Sequence, residues 1–249
     1  MTCEEILAIA ARIGQGLLES GAEAYRVENS VLHVVDAYNL GECQVFSIPN
    51  YLHIDLTGKD GSTHSKMCRA SSLKSVDLEQ LNAWNQLCRS ISETRPEAAE
   101  IWTQIAAVEQ TPLYSLPMQM LAYAVGSGAF ALFWGGIWLD AAAAAVIGCA
   151  VAAAMYIMGR LEANLFYKSI LASALSALLA CLFVHLGFGI NRSEIIIGVF
   201  MTLLPGVMIT NFMREIIVGD WLTGITKLMG ALLIAASIAL GTGIVLALI

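Results

Sequence analysis

The second half of the chain, from Pro117 onward, is a succession of long apolar stretches separated by short polar connections. A helix needs about 20 mostly apolar residues to cross the roughly 30 Å hydrocarbon core of a bilayer. Only 13% of the residues in the whole chain are charged, whereas soluble domains carry about 25%. We therefore predict a membrane α-helical bundle over residues 117–249, embedded in the lipid bilayer.

Five of these stretches are candidate transmembrane helices, although the fourth is shorter than the others. They cover residues 117–136, 140–158, 169–188, 194–210 and 226–249. Many of their residues are alanine, and small side chains let helix backbones approach each other closely in lipid. The pattern predicts tight helix–helix contact within the bundle.

Residues 1–116 predict an N-terminal α+β cytoplasmic domain. Apolar residues at helical spacing over 3–38, interrupted at Gly21, predict two helices or one broken helix. A further helix is expected from Asp77 to about Glu93, with Ser75 or Asp77 as its N-cap. A polar helix over 96–110 follows it, with proline in its first turn.

The β part of this domain is predicted from three runs of alternating polar and apolar residues. They cover residues 44–48, 51–57 and 63–69. The segment Lys59-Asp60-Gly61 between the last two is typical of a hairpin turn. We expect three strands joined by short turns.

The distribution of Lys and Arg between the spans predicts an orientation. The connections 159–168 and 211–227 each carry two of these residues, whereas 135–139 has none and 187–194 has one. Positive loops stay in the cytoplasm, and the start of the chain lacks the features of a signal peptide. We predict an N-terminal domain in the cytoplasm and a multi-pass protein of the cytoplasmic (inner) membrane, with five crossings.

Several function classes find no support in the residues. The net charge is −7 and no basic cluster is present, so a nucleic-acid partner is not expected. The six cysteines include no CxxC pair, and no metal or other cofactor is predicted. The four histidines, at positions 33, 53, 64 and 185, are read as ordinary core, surface or interfacial residues. Because no catalytic pair lies within the spans, a membrane enzyme is not predicted.

The most informative stretch begins with Pro205-Gly206, inside the fourth apolar segment, and is followed by Thr210, Asn211, Arg214 and Glu215. A proline frees backbone groups, which must be satisfied within the membrane, so broken helices line cavities or are buried in protein. Charges near mid-membrane face a partner or a water-filled path, and transporters build substrate sites at such breaks. The alternative is a simple kink followed by an ordinary cytoplasmic loop.

Three acidic residues outside this stretch are secondary candidates. Asp140 opens the second span, where it either caps the helix or belongs to the site; the cap is favoured. Glu23 and Glu28 lie in the N-terminal domain, where a salt bridge such as Glu23–Arg26 or a solvated face is the default expectation.

A family resemblance rests on these motifs, read in chain order. The set resembles the signature of the threonine/serine exporter family (the ThrE type): Gly21-Ala22-Glu23-Ala24-Tyr25-Arg26-Val27-Glu28, Gly135-Gly136…Asp140, and Pro205-Gly206…Thr210-Asn211…Arg214-Glu215…Gly219-Asp220…Thr223-Gly224. One departure is Glu215, where the family often has Asp.

The resemblance implies a secondary transporter that exports small amino acids, such as threonine and serine, by antiport against protons. Split relatives are also associated with dicarboxylate (succinate) export, so a small amino or organic acid substrate is expected. With one membrane module, the chain resembles the larger subunit of the two-subunit form, whose partner is a second, smaller membrane subunit. Five crossings would invert a second module relative to the first, and a higher oligomer stays open.

Site roles follow from chemistry once a transporter is assumed. Arg214 would pair with a substrate carboxylate, and Thr210 and Asn211 would supply hydrogen bonds. Glu215 or Asp220 would carry the coupled proton, because a carboxylate near a cation must shift its pKa to cycle protons. The rival class is a membrane-anchored sensor that transports nothing.

Overall fold

The computed structural model describes residues 1–71, 76–111, 114–161 and 164–249. The chain forms two compact units. The first comprises Met1–Pro112 and Val207–Leu228, and the second comprises Leu113–Gly206 and Met229–Ile249. The first unit thus includes a segment from the half of the chain predicted to be the membrane module.

The described residues form ten helices and three strands. In chain order these are α1 (Cys3–Glu19), α2 (Ala24–Asp36), β1 (Gly41–Ile48), β2 (Tyr51–Gly58), β3 (Thr63–Arg69), α3 (Leu78–Thr94), α4 (Ala98–Glu109), α5 (Leu116–Phe133), α6 (Trp138–Arg160), α7 (Leu165–His185), α8 (Arg192–Phe200), α9 (Gly206–Val218) and α10 (Trp221–Leu248).

Helix α1 has well-defined ends, which place the start of α2. Thr2 caps it in a reciprocal box: the Glu5 N–H donates to Thr2 Oγ1 (3.2 Å) and the Thr2 N–H to Glu5 Oε2 (2.7 Å). Gly21 adopts φ +93°, a left-handed conformation that glycine accepts without strain. The N–H of Ala22 then bonds back to the Leu17 carbonyl, which closes a Schellman motif. The predicted interruption at Gly21 is confirmed.

The three strands form an antiparallel sheet in the order β1-β2-β3, as the alternating pattern predicted. Leu52, Ile54 and Leu56 of β2 are fully buried and pack in one core with α1 and α2. The carboxylate of Asp77 accepts the N–H groups of Glu79 and Gln80, so Asp77 is the N-cap of α3. The alternative cap, Ser75, lies outside the described residues.

Helices of the second unit pack through small residues. A Cβ added to Gly148 of α6 would lie 2.7 Å from the Tyr123 carbonyl oxygen of α5, and one added to Gly198 of α8 would lie 2.7 Å from the Ser127 carbonyl oxygen. Only glycine permits such contact between a helix and a neighbouring backbone. The predicted tight packing is confirmed within this unit.

Four helices of the described chain are long and apolar enough to cross a membrane, namely α5, α6, α7 and α10. The shorter fourth span predicted over 194–210 is not a single helix, and the Pro205-Gly206 motif had indicated a break there. Helix α8 ends at Phe200, turns follow, and α9 begins at Gly206. The cause is Pro205, which lacks an N–H and disfavours helical geometry in the residue before it. Pro205-Gly206 therefore marks a helix break rather than a kink.

The segment 211–227 is helical except at Gly219 and Asp220, contrary to the alternative of an ordinary loop. Helix α9 continues to Val218, and α10 begins at Trp221, five residues before the predicted start at 226. Gly219, with φ +106°, provides the reversal between them. The polar residues of this stretch are therefore held on two adjoining helices.

Candidate functional site

The turn between α9 and α10 is shaped by two glycines. The N–H of Asp220 bonds to the Glu215 carbonyl (2.9 Å) and that of Gly219 to the Ile216 carbonyl (3.1 Å), which is a Schellman closure of α9. A Cβ added to Gly224 would lie 2.6 Å from Ile216 Cγ1. Gly224 thus lets the first turn of α10 lie against α9.

Helices α9 and α10, with the turn at Gly219-Asp220, form a helical hairpin. Glu23 links this hairpin to the connection between α1 and α2. Its side chain is only 7% exposed, and its Oε2 accepts from Arg26 Nε at 2.8 Å. Its Oε1 forms an ion pair with Arg214 Nη1, whose side chain is 50% exposed. The predicted Glu23–Arg26 salt bridge is confirmed, and the solvated alternative for Glu23 is wrong because Arg214 covers it from a distant part of the chain.

Glu215, the neighbour of Arg214, is fully buried and forms a second ion pair, with Lys227. Its Oε1 also accepts the backbone N–H of Ala24 at 3.1 Å. Lys227 Nζ in turn donates to the Ala22 carbonyl at 3.3 Å. Since Ala22 and Ala24 flank Glu23, the Glu215–Lys227 pair fixes the backbone on both sides of that carboxylate.

One atom of this arrangement lacks a partner. Glu215 Oε2 is buried and accepts no hydrogen bond from any part of the chain that the structure describes. A buried charge depends on its ion partner, because removing one member leaves an uncompensated charge. Lys227, which sequence reasoning did not select, is therefore essential to the site as built.

Glu28 of α2 lies five residues after Glu23, beside the same cluster. Its Oε1 accepts the Ser47 N–H at 2.7 Å, and the Ser47 hydroxyl donates to the Ala24 carbonyl at 3.0 Å. Burial raises the pKa of Glu28; the Ser47 N–H opposes this shift, and the negative charges of Asp220 and Glu215 add to it. Glu28 therefore takes a proton more readily than an ordinary glutamate.

The other residues singled out in this stretch are less involved. Thr210 is exposed, and its hydroxyl donates to the Val207 carbonyl of its own helix at 3.0 Å. Asn211 is half-buried, with no side-chain hydrogen bond within the described ranges. Thr223 is buried in the first turn of α10. The structure thus joins Arg214 and Glu215 to the cluster and leaves Thr210 outside it.

Asp140 belongs to the second unit and has a structural explanation. One carboxylate oxygen accepts the backbone N–H groups of Ile190 (2.7 Å) and Asn191 (3.0 Å). The other accepts the Ile137 N–H (3.1 Å) and the Asn191 side-chain amide (2.8 Å). Asp140 therefore caps α6, as favoured from sequence, and also ties the turn before α8 to it.

A Ser-His-Asp set on the exposed sheet face does not form a catalytic relay. Asp55 Oδ2 lies 2.9 Å and Ser65 Oγ 3.4 Å from His53, but both contact the same nitrogen, Nε2. A relay needs one ring nitrogen for the carboxylate and the other for the hydroxyl. No group of three or more potential metal ligands occurs among the described residues either.

Long apolar helices joined to an α+β unit define a multi-pass helical membrane protein. Residues 8–249 match the family model described as "Putative threonine/serine exporter", and the chain belongs to this ThrE family. The family consists of transporters, so the prediction that the protein is not an enzyme is confirmed. The two-subunit form stays a prediction.

Two curated relatives carry related names. The chain is 25% identical over 256 residues to the "Threonine/serine exporter" of Corynebacterium glutamicum, covering 96% of this chain and 50% of the relative. It is 22% identical over 241 residues to the "Probable threonine/serine exporter" of Mycobacterium tuberculosis (strain ATCC 25618 / H37Rv), covering 95% and 45%. The chain thus spans about half the length of these relatives. No solved structure matches it.

Proposed function

We propose that this chain is one module of a secondary transporter that exports small amino acids of the threonine and serine type. The observation that carries the proposal is the charged cluster of the first unit, in which Arg214 and Glu215 of α9 form separate ion pairs with Glu23 and Lys227. An amino acid is a zwitterion, and its recognition needs a cation and an anion close together. The names of the curated relatives support the same substrate class.

Arg214 is the proposed ligand for the substrate carboxylate. A guanidinium binds a carboxylate through paired N–H donors, and half of this side chain is exposed. Glu215 and Lys227, both largely buried, are proposed to support the site rather than to contact substrate. Thr210, Asn211 and Thr223 stay candidates for hydrogen bonds to the substrate.

Proton coupling is proposed to run through the carboxylates near Arg214. Glu28 joins Glu215 and Asp220 as a candidate, because its pKa is raised by burial and by these two neighbours. A carboxylate that takes up a proton when a nearby cation is occupied couples the two events through charge. Loss of substrate-driven acidification in Glu28→Gln, with retained counterflow, would assign the proton to this residue.

The proposed setting is the cytoplasmic membrane, with the N-terminal domain in the cytoplasm and a second membrane module as partner. The partner proposal is supported by coverage: the aligned region accounts for 50% and 45% of the two relatives. The second module is either a separate subunit or a further part of the same polypeptide.

Counterflow of labelled serine, threonine and succinate in proteoliposomes that hold the chain and its second module tests the function. We expect Arg214→Gln to abolish serine and threonine counterflow, and Arg214→Lys to retain a fraction of it. Arg89→Gln is the matched control, since Arg89 is also exposed and its side chain forms none of the ion pairs of the cluster. Full counterflow in Arg214→Gln would refute the proposed site, and a preference for succinate would instead favour a dicarboxylate exporter. No counterflow of any substrate by the unmodified assembly would favour a sensor.

A further inference from the structure

The two partners of the Glu23–Arg214 ion pair differ in burial and in how many of their polar atoms already have a partner. Glu23 is almost completely buried and uses both carboxylate oxygens, one for Arg26 and one for Arg214. Arg214 is half exposed, and only one of its guanidinium nitrogens, Nη1, pairs with another described residue. A guanidinium carries five N–H donors, so Arg214 retains donors for a second carboxylate.

We propose that this ion pair is the closed form of the amino-acid site and that the substrate opens it by inserting between the two side chains. The substrate carboxylate then pairs with Arg214, and its ammonium group pairs with Glu23. This inference rests on the proposed function, and it makes Glu23, a residue of the N-terminal domain, a determinant of substrate class.

Charge balance favours a zwitterion in this position. Before insertion the Glu23 carboxylate faces the Arg214 guanidinium. After insertion Glu23 faces the substrate ammonium and Arg214 faces the substrate carboxylate. A zwitterion carries no net charge, so the net charge of the site is unchanged. A dicarboxylate would place its second carboxylate against Glu23, where like charges repel. A hydroxy acid would leave Glu23 with Arg26 alone.

The surroundings hold Glu23 ready for this exchange. Arg26 contacts Glu23 Oε2 at 2.8 Å, whichever group Oε1 faces. The backbone on either side of Glu23 is fixed by Glu215, through the Ala24 N–H, and by Lys227, through the Ala22 carbonyl. Arg214, on α9, is the exposed partner, so the exchange requires movement of Arg214 and not of Glu23.

The experiment compares serine with two analogues in proteoliposomes that hold the full chain and its second module. Glycerate keeps the carboxylate but has a hydroxyl in place of the ammonium, and serinamide keeps the ammonium but lacks the carboxylate. In the unmodified protein we expect serine to inhibit labelled serine counterflow far better than either analogue. In Glu23→Gln the apparent affinity for serine should fall about 10- to 100-fold, the range for one charge-assisted hydrogen bond, and glycerate should become comparable with serine.

Two further variants separate the possible results. Glu23→Asp keeps the charge and should keep the preference for serine over glycerate, with weaker binding. Glu109→Gln is the matched control, because it breaks an ion pair with Arg12 elsewhere in the first unit, and it should change neither value.

An unchanged serine-to-glycerate ratio in Glu23→Gln would overturn the inference, whether or not the affinity for serine falls. If Arg214→Gln still lacks counterflow in that case, the proposed function stands and only the role of Glu23 is lost. Equal inhibition by serine and glycerate in the unmodified protein would overturn the inference without any variant, so the test holds even if Glu23→Gln does not accumulate.

Discussion

Lys227→Met removes the only cation that contacts the fully buried Glu215 within the described structure. Methionine preserves most of the side-chain volume, so the change acts mainly on charge. Glu215 would keep the Ala24 N–H on one oxygen and nothing on the other. Removing one partner of a buried ion pair costs about 3–5 kcal/mol. At about 2–4 °C per kcal/mol for a chain of this size, the midpoint of thermal unfolding should fall by about 6–20 °C.

Cys88 provides the readout for the unit that holds this pair. Its thiol is buried in α3, and burial raises its pKa to about 12, so it reacts with alkylating reagents only after unfolding. The fraction of alkylated Cys88, followed by mass spectrometry against temperature in detergent, gives the midpoint. Glu109→Gln is the control, because the Arg12–Glu109 pair is about one-third exposed on both sides and such pairs contribute about 0–1 kcal/mol.

A double variant tests whether charge is the cause. Glu215→Leu combined with Lys227→Met removes both members, and such replacements are often neutral or stabilising. Most of the lost stability should therefore return. The reasoning is refuted if Lys227→Met behaves like Glu109→Gln, or if the double variant is no more stable than Lys227→Met alone.

Three further outcomes are expected. Asp140→Asn should lower thermal stability by about 1–3 kcal/mol, because an amide cannot accept all the hydrogen bonds now made to that carboxylate; serine counterflow by the protein that remains folded should be normal. Glu28 has a raised pKa, so it stabilises the fold while protonated and loses that contribution as pH rises through the folded-state pKa. Unfolding of Glu28→Gln should therefore depend less on pH from acidic to neutral conditions than that of the unmodified protein, and an identical pH profile would exclude this role. Gly224→Ala should reduce counterflow, since its Cβ would lie 2.6 Å from Ile216 Cγ1 and would push α10 away from α9; retained transport would show that the hairpin tolerates the shift.

Much of the local structure was predictable because its causes are local. Gly21 ends α1 through its own left-handed backbone, and the turn after β2 follows from Lys59-Asp60-Gly61. The break at Pro205 also follows from one residue, and the Pro205-Gly206 motif predicted it, whereas the hydropathy of residues 194–210 alone indicates a short span.

The partners within the site were not predictable in the same way. Glu23 and Arg214 are 191 residues apart in the chain, and helical periodicity carries no information about which distant segment supplies a countercharge. Lys227 follows Glu215 by 12 residues, too far for a pair on one helix, and the two meet only because the chain reverses at Gly219. In the sequence, Lys227 indicates only that its connection faces the cytoplasm, and the chain reversal at Gly219 is what brings it into the site.

The length of α10 explains how a lysine is tolerated near the start of an apolar helix. The helix has 28 residues, or about 42 Å at 1.5 Å per residue. Its first eight residues, 221–228, belong to the first unit, which leaves 20 residues, 229–248, or about 30 Å, the thickness of a hydrocarbon core. Lys227 precedes this part of the helix and finds a carboxylate and a carbonyl within its own unit. These contacts compensate the cost of desolvating the Lys227 charge. The apolar remainder of α10, which excludes Lys227, is long enough to span the bilayer.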